Sequence, residues 1–76
     1  MISAGVRVDW VQLALNLRSR GGLPLSRASV RIGRHRSFLP QLARGEVQEP
    51  KFSDGIELLD LHFDVCGPEL TKALLK

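Results

Sequence analysis

Between Arg27 and Arg44 the chain carries Arg27, Arg31, Arg34, Arg36 and Arg44 and no acidic side chain. A guanidinium is a planar fork that stays charged at physiological pH. It binds phosphate oxygens, or the O6 and N7 edge of guanine, through two parallel hydrogen bonds. The charge is also polarised along the chain. Residues 1–45 hold eight arginines against Asp9 alone, whereas residues 46–76 hold Lys51, Lys72 and Lys76 against seven carboxylates. A basic half made entirely of arginine points to a polyanion, and nucleic acid is the natural one. Taken singly, each arginine is equally well read as a solubilising charge.

Other reactive side chains do not assemble into a site on paper. His35, His62 and Cys66 lack the paired spacing of a zinc centre and fall on different elements, so no metal is expected. Asp60 and Asp64 stand four apart and read as a solvated helix face rather than an acid/base pair. Serine, histidine and aspartate occur without a nucleophile-elbow pattern, and 76 residues leave little room for a substrate pocket. Neither an enzyme nor a small-molecule substrate is expected. The lone Cys66 excludes an internal disulfide and fits a reducing compartment. The segment Met1 to Asp9 has one Arg7 and no apolar run of signal-peptide length, and no run elsewhere reaches the length of a membrane span. A cytoplasmic protein without a membrane segment is the expectation.

The elements that must hold the arginines are short. Asp9 caps a first helix in which Trp10, Leu13, Ala14 and Leu17 repeat at i, i+3, i+4 and i+7, and Gly21-Gly22 ends it. A second helix fits Pro24 to Ile32, with Leu25, Ala28, Ser29 and Ile32 on one side and Gly33 turning the chain. A third, Arg36 to Ala43, turns Phe38, Leu39 and Leu42 inward and Arg36, Ser37, Gln41 and Arg44 outward. After Pro50, Ser53 or Asp54 caps a segment whose Ile56, Leu59 and Phe63 are read as its inward stripe beside Leu58. Leu59 to Val65 also alternates apolar and polar, as a half-buried strand would. Helix is preferred, because a strand there has no partner. Pro68 to Leu75 makes a last helix with Leu70, Ala73 and Leu74 on one side. Trp10, Phe38 and Phe63 are expected in the core. The sum is one all-α domain, residues 1–76, of four to five helices.

Helix, glycine turn, helix over residues 22–45 carries a further signal. Ser29 lies four positions before Gly33, Ile32 just before it, Leu39 six after and Leu42 nine after, with Gly45 twelve after. In these positions the chain resembles the helix-turn-helix domains of the phage lambda repressor and Cro family. The resemblance implies a compact lambda-repressor-like fold with Ser29, Ile32, Gly33, Leu39 and Leu42 as the motif core. It also implies sequence-specific binding of double-stranded operator DNA by a transcriptional repressor, with no cofactor. On that pattern Arg36, Ser37 and Gln41 reach base edges, and Arg27, Arg34, His35 and Arg44 reach phosphate. One such domain reads only a few base pairs, so a homodimer is expected, and the acidic, apolar-rich residues 56–75 are its expected surface. Three positions depart from the family: Leu25 stands where relatives often carry glutamine, Arg34 where they carry an apolar residue, and Pro40 inside the recognition helix. Leu25 and Pro40 support the alternative of a protein-interaction module, an anti-repressor or assembly factor, on the same scaffold. A viral packaging subunit or an antitoxin would use the same motif. Pro40 also predicts a recognition helix that starts late.

Overall fold

The structure is a computed structural model that describes residues 7–47 and 49–75. The reading of the chain's first residues therefore lies mostly outside the described part. Five helices follow one another: α1 Trp10–Ser19, α2 Leu25–Arg31, α3 Phe38–Ala43, α4 Phe52–Cys66 and α5 Pro68–Ala73. The expectation of an all-α chain holds. The one β contact among the described residues is an isolated antiparallel bridge between Val8 and Leu75, which ties the start of α1 to the end of α5. The radius of gyration is 11.3 Å, close to the roughly 11 Å of a close-packed chain of this length.

Each helix begins and ends for local reasons. Asp9 caps α1 as expected, its carboxylate accepting from the Gln12 N–H at 3.1 Å. The second helix starts at Leu25, one residue later than read, because Pro24 takes an extended ψ of 138° and serves as the flanking residue. At the end of α2, Gly33 adopts φ +80°, its N–H bonds to the Val30 carbonyl, and the Arg34 N–H bonds to the Ser29 carbonyl. That paired closure needs a left-handed residue and so explains the glycine. The same closure ends α3 at Gly45, with φ +77°.

Proline decides where α3 begins. A helix from Arg36 would put Pro40 in its second turn, where the ring clashes with the carbonyl four residues back. Instead Ser37 flanks the helix and Pro40 occupies its third position, whose N–H has no partner inside the helix in any case. The third helix is left with six residues and starts late.

The stretch Leu59 to Val65 is helical throughout, as part of the fifteen-residue α4. Two readings of it need correction. Neither Ser53 nor Asp54 caps α4; Lys51 flanks it, without a side-chain cap. The buried face carries Gly55, Leu58, Leu61 and His62, while Ile56 and Phe63 are 46 % and 52 % exposed. Phe63 is thus not a core residue, whereas Phe38 is buried and Trp10 half-buried. The final helix stops at Ala73; Leu74 is buried, but Ala73 is exposed.

The core lies around α1, which packs on α2, α3 and α4, while α5 packs on α4. Leu13, Leu17, Leu39, Leu42, Leu58 and Leu74 fill it and are shielded from solvent. Gly21 is a close-approach point: a Cβ there would collide with the Val65 side chain, so the end of α1 can lie against the end of α4. No helix among the described residues is long and apolar enough to cross a membrane.

Candidate nucleic-acid interface

Ser29 joins α2 to α3. It is fully buried, its hydroxyl donates to the Leu25 carbonyl at 2.8 Å, and it accepts from the Leu39 N–H at 2.8 Å. A larger residue would push the helices apart, and alanine would leave the Leu39 N–H without its acceptor. Ser29→Ala should therefore destabilise the fold by about 1–3 kcal/mol, the usual cost of orphaning a buried donor. Urea denaturation checks this: the midpoint falls while the slope stays unchanged. Ile32 is half-buried against the core, and Leu39 and Leu42 are fully buried.

Above this clasp, Leu23, Ser26, Arg27, Val30, Arg31 and Arg36 line a broad, shallow groove on the outer face of α2. Arg27 and Arg31 are one helical turn apart, and Arg36 comes from the connection after Gly33. All three are exposed. Among the described residues none of them has a carboxylate within ion-pair distance. Three arginines around one open groove favour an anion with several oxygens. Arg31 also borders the acidic side of α4, near Glu57, Asp60 and Asp64. The sequence counted Arg31 in the basic stretch but gave it no contact of its own. Its spacing of four from Arg27 on the polar side of α2 was the available signal.

The remaining candidates behave differently. Arg34 lies over the Phe38 ring, 4.9 Å from its centroid, and its Nε approaches Asp54 at 3.7 Å. The electron-rich face of the ring thus attracts the Arg34 cation. Arg44 is held in a fork by Glu46, at 2.7 and 3.3 Å. The hydrogen bonds raise the Arg44 pKa and hold the Glu46 carboxyl below the usual carboxylate range. Glu46 offsets the Arg44 charge, which weakens its pull on a phosphate. Ser37 is half-buried; its hydroxyl and its N–H both donate to His35 Nδ1, at 2.8 and 3.1 Å. With Nδ1 an acceptor twice over, the His35 ring proton sits on Nε2. Gln41 is half-buried on α3 and does not line the arginine groove. Arg36 is the base-reading candidate that shares the groove with Arg27.

A second polar array sits inside the fold, and the sequence did not announce it. Gln12 Nε2 donates to Asn16 Oδ1 at 2.8 Å, and Asn16 Nδ2 meets His62 Nε2 at 3.1 Å. His62 Nδ1 meets Thr71 Oγ1 at 2.6 Å, and that hydroxyl donates to the Gly67 carbonyl at 2.9 Å. Since the Asn16 amide donates, His62 is neutral with its proton on Nδ1, and every donor along the chain has an acceptor. Burial lowers the His62 pKa. Cys66 lies beside the array, its Sγ donating to the Asn16 carbonyl at 3.5 Å, and burial pushes its thiol pKa up. This raised pKa keeps Cys66 a thiol rather than a reactive thiolate. Among the described residues no group of three or more His, Cys, Asp or Glu side chains is placed to hold a metal ion.

The chain matches no family model, no curated protein and no solved structure.

Proposed function

We propose that this chain is a sequence-specific double-stranded DNA-binding protein, a transcriptional regulator of the Cro and repressor type that acts on operator DNA as a homodimer. The observation that carries the reading is the groove shared by Arg27, Arg31 and Arg36, with no carboxylate among the described residues paired to any of them. Support also comes from the Ser29 clasp between α2 and α3, which is the close approach a helix-turn-helix needs. In this reading Arg27 and Arg31 bind phosphates. Arg36, at the entry to α3, reaches the major-groove edge of guanine. The six-residue α3 presents few side chains of its own, so much of the contact is assigned to α2 and the turn.

One observation favours a second reading. The short α3, with Pro40 at its third position, suits a protein-interaction module that has kept the scaffold. Selection from a random pool of duplexes at two salt concentrations separates the two. The DNA reading expects enrichment of a defined sequence and affinity that falls steeply with salt. Arg36→Ala should relax the preference at one base position, while Arg27→Ala should weaken all sequences alike. A pool that shows no enrichment at either salt concentration rejects sequence-specific binding.

A further inference from the structure

Among the described residues that line the arginine groove, Val30 is the large apolar side chain that the fold leaves in water. It is 61 % exposed and stands apart from the residues packed on the core, whereas Leu23, in the same groove, is half-buried against that core. The opposite side of α2 fixes this placement. Leu25, Ala28 and Ser29 are buried, so the helix presents Ser26 and Val30, four apart, as one outward row and Arg27 and Arg31 as the next. A branched side chain also suits an exposed helix position less well than alanine does. Neither core packing nor helix propensity calls for valine here.

The arginines narrow the choice of partner. Arg27, Arg31 and Arg36 line the same groove as Val30, so the partner that covers the valine brings negative charge together with an apolar group. Double-stranded DNA offers such a pair in its major groove. Of the four bases only thymine carries an apolar group on that edge, its C5-methyl, and the O6 and N7 edge of guanine lies in the same groove. Phosphate oxygens offer Val30 no comparable contact.

We infer that Val30 is a specificity-determining residue that packs against the C5-methyl of a thymine in the base pair next to the guanine bound by Arg36. The inference rests on the DNA-binding reading above and adds a second base position to it, read from α2 rather than from α3. The two side chains divide the work. Arg36 supplies hydrogen bonds, and Val30 excludes water from a methyl group. Cytosine in place of that thymine would press an amino donor against an apolar surface and leave it without an acceptor. Covering one methyl group corresponds to about a three- to fivefold change in affinity.

The test uses the duplex selected from the random pool, in which Arg36→Ala marks the guanine position, and a copy with deoxyuridine in place of the neighbouring thymine. That exchange removes the methyl group and nothing else. By fluorescence anisotropy the unsubstituted chain should bind the deoxyuridine duplex about three- to fivefold more weakly. Val30→Ala should bind the thymine duplex more weakly by a similar factor and should not distinguish the two duplexes. Its salt slope should equal that of the unsubstituted chain, because no charge is lost. Since Val30 is exposed and alanine is the stronger helix former, circular dichroism and melting should show an intact fold. A deoxyuridine effect that is absent, or equal in both chains, overturns the inference and leaves DNA binding standing. So does a selected sequence with no thymine beside the guanine. A pool without enrichment overturns both.

Discussion

Replacing Arg27, Arg31 and Arg36 together by alanine should lower DNA affinity about a hundredfold or more at moderate salt, while leaving thermal stability nearly unchanged. Each arginine that neutralises a phosphate releases condensed counterions. Log affinity then falls with log salt by about 0.9 per phosphate contacted. Losing the phosphate contacts of Arg27 and Arg31 should therefore flatten the salt slope by about 1.8, and between 50 and 200 mM salt the unsubstituted chain should lose roughly 12-fold more affinity than the triple variant. The side chains are exposed and, among the described residues, unpaired, so the folded state loses no ion pair with them. Arg44→Ala is the matched control. Its guanidinium already binds Glu46, which offsets its charge and weakens its pull on a phosphate, so its effect on affinity should be much smaller. Fluorescence anisotropy on the selected duplex across a salt series measures all of this. A triple variant with the same salt slope as the unsubstituted chain would show that the groove does not meet phosphate.

The larger effect on stability is expected at His62. Its ring is fully buried and links α1 to α5 through Asn16 and Thr71. His62→Ala leaves a cavity and strips the Asn16 amide of its acceptor, which together cost about 3–5 kcal/mol. The stability of a chain this size is only about 4–11 kcal/mol, so the melting temperature should drop by more than about 10 °C. Replacing both His62 and Asn16 by leucine removes donor and acceptor at once and should recover most of the loss, because Gln12 can turn to water and Thr71 retains the Gly67 carbonyl. A double variant no more stable than His62→Ala would show that the array is not a coupled unit.

The same residue sets an acid limit. Burial lowers the folded-state pKa of His62, whereas in the unfolded chain the imidazole titrates near about 6.5. Below that pH the unfolded chain takes up a proton that the folded chain refuses, so the unfolded state binds more protons and stability decreases as the pH is lowered. The full stability is present above about pH 6.5 and declines until the folded imidazole itself is protonated. Protonation also places an N–H against the Asn16 amide donor. Urea midpoints at pH 7.5, 6 and 5 should decline for the unsubstituted chain, and the part of the decline due to His62 should vanish in the double leucine variant.

Local physics explains which elements were legible in the sequence. The Asp9 cap, the glycine turn at Gly33, the second closure at Gly45 and the late start forced by Pro40 each depend on interactions within a few residues, and those residues announce themselves. The inward placing of Ser29, Leu39 and Leu42 was legible from helical periodicity, and all three are buried. The site was legible in part. An arginine-rich surface followed from composition, but the pairing of Arg44 with Glu46 and of Arg34 with Asp54 and Phe38 is a matter of side-chain reach.

Residue order by itself determined that this chain is helical, where its turns fall and that its cations gather in the first half. Only the tertiary structure decided which side of α4 faces inward. That helix carries apolar residues on two sides, Leu58 with Leu61 and Phe52 with Ile56, Leu59 and Phe63, and its own periodicity cannot rank them. The choice belongs to α1 and α5, whose Asn16 and Thr71 accommodate His62 and leave the more aromatic stripe in water. Burial is a property of two surfaces that meet, so a pattern within one helix names the candidates and its neighbours select among them.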